Sequence, residues 1–171
     1  MPLVRIDVQR GRTPEDLRRL ADTIQDVMLD VFAAPPGDRY QIITEHAAGQ
    51  IIAEDTGLGL ERTDGIVIIQ IFQQGRSTEQ KVAAYAELAK RLEAECGVRP
   101  EDLIISVMAN RHVDWSFGLG RAQFLDGTLA SVDKRDLSGQ SVDSGGGEHY
   151  VAEGARTQRD LDLDLELKGE R

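Results

Sequence analysis

The chain repeats itself once. A gapless shift of 64 residues lays Gln9 on Gln73, Gly11 on Gly75, Arg12 on Arg76, Thr13 on Ser77, Glu15 on Glu79, Pro36 on Pro100 and Asp38 on Asp102. The matches fall at joints: a Gly-Arg turn, a helix start and a proline loop. Each copy therefore reads as strand, helix, strand. Residues 3–8 and 66–72 are Val/Ile-rich runs of strand length. Thr13 before Pro14 is a helix N-cap with proline in first position, and Leu17, Leu20, Ile24, Val27, Met28, Val31 and Phe32 follow at three- and four-residue spacing. In the second copy Ser77 and Gln80 form a capping-box pattern. Val82, Tyr85, Leu88, Ala89 and Leu92 then continue an apolar stripe that Gly97 ends. Second strands are expected over residues 40–44 and 103–108, and Ile51, Ile52 and Ala53 could add a short one.

Two parallel strand pairs, each joined by a right-handed crossover, can share one sheet with both helices on one face. The expected class is α+β: tandem β-α-β units forming a four-stranded sheet. Its opposite face would be bare, and a symmetric oligomer is the simple way to cover it. Residues 1–130 form one folded domain on this reading. Beyond it the composition turns polar. Residues 138–147 are rich in Gly and Ser, and residues 131–171 carry ten acidic against six basic side chains. A flexible extension is expected there, although Leu161, Leu163, Leu165 and Leu167 alternate with acidic residues in a strand-like pattern.

With 40% apolar and 29% charged residues among 171, the chain is long enough for one real core. A net charge of −10 argues against a nucleic acid partner, yet one buried arginine can still bind a small carboxylate. Lone Cys96 excludes an internal disulfide, and nothing approaches a membrane span, so a cytoplasmic protein is expected. His46, His112 and His149 show no ligand spacing, and no metal site is expected.

Pro2 directly follows Met1. A small second residue allows the initiator to be trimmed, which leaves a secondary amine able to act as acid, base or nucleophile. Its protonation can be set near neutrality by burial or a neighbouring charge. The plainer reading is that proline merely opens a strand. Asp38, after Pro35, Pro36 and Gly37, fits either a turn or a carboxylate partner for such an amine. Arg76 could clamp a carboxylate, whereas its counterpart Arg12 suggests turn chemistry. Trp115 sits in a glycine-rich segment, which suits a pocket wall, a core or an interface.

A proline-initiated β-α-β unit present twice resembles the tautomerase superfamily, whose members use the amino-terminal proline in catalysis. Within it, the segments PLVRIDVQRGRT, GDRYQ, AEDTGLG, GRSTEQK and DWSFGLGRAQFLDGTL, spanning residues 2–129, resemble malonate semialdehyde decarboxylase. The resemblance implies a homotrimer without cofactor, acting on a small carboxylate near each Pro2. It implies catalytic roles for Pro2, Asp38 and Arg76, and an apolar wall from Trp115, Phe117, Phe124 and Leu129. One family arginine is absent: its position carries Gln74, a neutral amide. Arg12, Arg39 and Arg121 are candidate substitutes.

Loss of carbon dioxide from a 3-oxo acid sends electrons into the neighbouring carbonyl. Cationic Pro2 could polarise that oxygen, or the neutral amine could form an iminium. Two other chemistries stay open: keto-enol tautomerisation with neutral Pro2 as base, and hydration of an unsaturated acid. A non-catalytic oligomeric binding protein is the alternative from outside enzymology.

Overall fold

The structure, a computed structural model, describes residues 2–129. The polar extension and its alternating leucines lie outside the described residues. Strand β1 (Leu3–Gln9), helix α1 (Pro14–Asp30) and strand β2 (Tyr40–His46) form the first copy; β3 (Val67–Gln73), α2 (Thr78–Cys96) and β4 (Leu103–Ala109) form the second. The sheet order is β2-β1-β3-β4. Each copy pairs its own strands in parallel, and β1 meets β3 antiparallel, with Leu3 opposite Phe72 and Ile6 opposite Ile69. This is the expected four-stranded sheet with two helices.

Both helices pack on one face. Val4, Ile6 and Val8 of β1 and Val67, Ile69 and Ile71 of β3 join Leu20, Ile24, Val27 and Met28 of α1 and Ala84, Leu88 and Leu92 of α2 in a single core. The helices keep the 64-residue spacing, since Leu20, Ile24 and Met28 match Ala84, Leu88 and Leu92. The first strands do not. Even-numbered residues of β1 face the helices, whereas odd-numbered ones of β3 do. Gln9 and Gln73, aligned in sequence, therefore face opposite sides. Among the described residues no helix covers the second face, where Asp7 and His46 meet at 2.7 Å and Ile42 is exposed.

The helix starts follow the sequence. Thr13 Oγ1 accepts from the Asp16 N–H at 3.1 Å while Asp16 Oδ2 accepts from the Thr13 N–H, and Ser77 with Gln80 makes the same reciprocal pair. Gly97, at φ +65°, ends α2 with the Val98 N–H donating back to the Leu92 carbonyl at 3.1 Å.

Two expectations fail. Val82 and Tyr85 are exposed, and Ala84, Leu88 and Leu92 supply the buried line. Val82 lies about 200° around the helix from Ala84, on the side away from the sheet. Residues 51–53 form no strand, and Ile52 is exposed. That segment follows β2, an edge strand, and no described strand lies beyond the edge to receive it. No described helix is long and apolar enough to cross a membrane. Leu88→Ala should cost about 2–5 kcal/mol in a denaturant titration, and Val82→Ala should stay within about 0.5 kcal/mol. Equal effects would contradict this placement of the stripe.

Candidate active site

The amino-terminal end of β1, the carboxyl ends of α1 and β3 and the start of α2 meet at one end of the sheet. Pro2 is buried there, one residue before β1. Asp38 reaches the same end through a tight turn. Pro36 supplies its fixed φ, Gly37 the positive φ of +81°, and the Asp38 backbone N–H closes the turn on the Pro35 carbonyl at 3.1 Å. The turn thus uses the backbone of Asp38 and does not need its carboxylate. The Gln25 amide holds the Asp38 carbonyl at 3.3 Å from beneath.

Asp38 is 7% exposed. Burial pushes its carboxyl above the usual carboxylate range, while the positive amino terminus of the chain and the Arg76 guanidinium pull it back down.

The second copy closes the equivalent loop as a 3-10 turn through Pro100 and Glu101, with no positive-φ residue. The Asp102 N–H closes on the Arg99 carbonyl at 2.9 Å, and Asp102 is 1% exposed. Its carboxylate accepts from the backbone N–H and the hydroxyl of Thr63, each at 2.6 Å. The chain running into β3 thus satisfies the second aspartate, whereas the first is surrounded differently.

Arg76 is built into the end of α1. Its Nε donates to the Phe32 carbonyl, Nη1 to the Gln74 carbonyl at 3.0 Å and Nη2 to the Ala33 carbonyl at 3.5 Å, with the guanidinium 6.0 Å from the Phe32 ring centre. Ala33 carries a positive φ of +49°, and the Ala34 N–H returns to the Met28 carbonyl, so the helix ends in a left-handed turn without glycine. A cation bound to those carbonyls complements the helix dipole and fixes the guanidinium plane.

The aromatic residues form one cluster. Trp115 stacks on Phe117 at 5.5 Å, Phe117 meets Phe124 edge-on at 5.5 Å, and Phe124 meets His112 at 4.7 Å. Three residues that sequence reasoning missed hold it. Tyr40, paired with Leu3 in the β1–β2 register, lies 5.9 Å from Phe117. Asn110 accepts from the Trp115 indole at 2.9 Å while its own N–H donates to the Gln73 carbonyl. Gln123 bonds the Phe117 N–H and the Gly118 carbonyl, and its backbone carbonyl takes the Leu129 N–H at 2.9 Å. Tyr40 and Gln123 were within reach, since they sit in the GDRYQ and DWSFGLGRAQFLDGTL segments; Asn110 carries no local signal.

Gln74 is buried, and its Nε2 has no hydrogen-bond partner among the described residues. The candidate substitutes for the absent arginine are engaged elsewhere: Arg12 with the Gly65 carbonyl, Arg39 with Asp22 and Gln41, Arg121 with Asp126 and Thr128. Burial pushes the Cys96 thiol up, which does not suit a nucleophile. Among the described residues no cluster of His, Cys, Asp and Glu could hold a metal ion.

Family profiles described as "Tautomerase enzyme" match residues 2–61 and 38–118. A Bacillus subtilis protein named probable tautomerase YrdN is 46% identical over 129 residues, covering 75% of this chain and all of the relative. The chain belongs to the tautomerase family. A crystal structure of malonate semialdehyde decarboxylase superposes with a TM-score of 0.71 at 41% identity, covering 75% of this chain and 99% of that one. A second, the FG41 malonate semialdehyde decarboxylase inhibited by 3-bromopropiolate, gives 0.71 at 43% identity, covering 75% and 98%. Fused 4-OT, solved as a symmetric trimer, shares the fold at TM-score 0.58 and 21% identity, covering 70% and 94%. The fold is thus that of a tautomerase-family enzyme.

Two outcomes follow from the site. Because the Asp38 carboxyl holds its proton more tightly folded than unfolded, ionising it works against the fold. Stability is greatest below the ordinary aspartate range and falls as pH rises through the raised value. Asp38→Asn should therefore melt higher than the parent at pH 7 and converge with it in acid; an equal offset at both pH values would contradict this. Arg76→Ala should lower unfolding stability by about 1–2 kcal/mol through the lost helix-end bonds, besides any effect on substrate. Unchanged stability would show that those bonds contribute nothing.

Proposed function

We propose that this protein is a cofactor-independent decarboxylase of a small 3-oxo acid such as malonate semialdehyde (3-oxopropanoate). The observation that carries the reading is the burial of Pro2 and Asp38 at the end of the sheet where the Arg76 guanidinium is anchored. Similarity above 40% to two malonate semialdehyde decarboxylases, over nearly their whole length, supports it.

On this reading Met1 is removed and the Pro2 nitrogen becomes the reacting group. The nearby Asp38 charge favours its cationic form. The ammonium donates to the 3-oxo oxygen while Arg76 binds the carboxylate, holding the breaking bond across the carbonyl plane. The C–C bond to the carboxylate breaks, its electron pair forms the enol, and the oxygen takes a proton. Carbon dioxide leaves; the enol then takes a proton at carbon and returns its O–H proton to the Pro2 amine, giving acetaldehyde and the starting ammonium. Trp115, Phe117, Phe124 and Leu129 form the apolar side, which favours a transition state with more dispersed charge. Gln74 contributes a hydrogen bond where the related enzymes have a cation. Three copies assemble through the bare sheet face, in keeping with the trimeric fused 4-OT structures.

The second reading is a keto-enol tautomerase with neutral Pro2 as base. Gln74 favours it, because one cation fewer weakens the grip on a departing carboxylate, and relatives at 46% and 38% identity are named probable tautomerases. Hydration of an unsaturated acid ranks third; the malonate semialdehyde decarboxylase at 41% identity is described with both decarboxylase and hydratase activities.

Pro2→Ala, or one extra residue before Pro2, should cut turnover of 3-oxopropanoate by about 100-fold or more. Assays of 2-oxo acid tautomerisation on the same proteins separate the two enzymatic readings. Unchanged rates in both variants would leave a non-catalytic terminus.

A further inference from the structure

Gln73 ends the helix-facing series Val67, Ile69 and Ile71 on β3, where alternation calls for an apolar side chain. It is 2% exposed, and both its Oε1 and Nε2 are closed off from solvent without a hydrogen-bond partner among the described residues. A carboxamide kept in such a place works against the fold and marks a position retained for something other than packing.

The register identifies what it faces. Leu3 lies opposite Phe72 in the antiparallel ladder, so one step outward sets Pro2 opposite Gln73. Directly opposed residues point to the same face with Cβ atoms about 4.5–5.5 Å apart. Pro2 is buried, as are Val4 and Ile6 further along β1. The backbone at Gln73 is pinned, because its carbonyl accepts from the Asn110 N–H at 2.9 Å.

We propose that Gln73 is a positioning residue for the amino-terminal amine: its carboxamide oxygen accepts a hydrogen bond from the secondary ammonium of processed Pro2. This rests on the reading that Pro2 is the reacting group. A secondary ammonium has two N–H groups. Asp38 takes one, and Gln73 holds the other until the substrate oxygen replaces it. The carboxamide stabilises the cation without adding charge, so the ammonium remains able to donate.

The test is a titration of the Pro2 nitrogen by NMR in [15N]proline-labelled wild type, Gln73→Met and Gln73→Glu, with circular dichroism as the fold control. Methionine keeps the length and unbranched shape while removing the acceptor. The amine pKa should fall by about half a unit or more in Gln73→Met and rise in Gln73→Glu. The same value in wild type and Gln73→Met, both folded, would overturn the proposal, and that comparison suffices if the Glu variant does not fold. The titration reads the amine whether or not it turns over substrate. A failure here therefore leaves the Pro2→Ala assay standing, and a failure there leaves this measurement interpretable.

Discussion

A carboxylate held almost out of water needs a positive charge to stay ionised, and the site depends on that requirement at Asp38. The Pro36-Gly37 turn places the carboxylate, the α1 floor keeps water from it, and its two cationic neighbours are the chain terminus and Arg76. Burial is the larger influence and raises the carboxyl, so the balance is a strained one.

The duplicated architecture makes the point by comparison. Both copies bury the aligned aspartate after a proline turn, though the turns differ in type. In the second, Thr63 satisfies the carboxylate with two short hydrogen bonds, and Arg12 closes on the Gly65 carbonyl. That set is complete and serves packing. In the first, the amino terminus and Arg76 pull the carboxyl toward ionisation against its burial. One scaffold thus yields an aspartate hydrogen-bonded by Thr63 in the second copy and, in the first, one whose burial is opposed by cations.

Much of the fold was legible in the sequence. The repeat, the Thr13 and Ser77 starts and the Gly97 stop are local chemistry, and they specify two strand-helix-strand units. The phase of β3 was not legible: the aligned pair Gln9 and Gln73 suggests equivalent faces, and only tertiary packing set them on opposite ones. The stripe through Val82 and Tyr85 misled for a related reason, since three-residue spacing drifts around a helix whose buried line advances by four. In the candidate site, Pro2, Asp38, Arg76 and the aromatic residues stood out through the family segments. The anchoring of Arg76 did not, because its partners Phe32 and Ala33 lie more than forty residues away and are carbonyls, which no side-chain pattern announces. The roles of Asn110 and Gln123 were hidden for another reason: each acts by bonding a neighbouring loop to itself or to the end of β3.

The most direct test of the account is the pH dependence of amino-terminal labelling by a small electrophile, read by mass spectrometry on the first peptide of wild type and Asp38→Asn. Labelling follows the neutral fraction of the amine, so its midpoint reports the proton affinity of Pro2. The account predicts a midpoint in wild type higher than in Asp38→Asn by about one unit or more. Coincident midpoints, with both proteins folded, would show that the aspartate and the amine do not interact, and would contradict it.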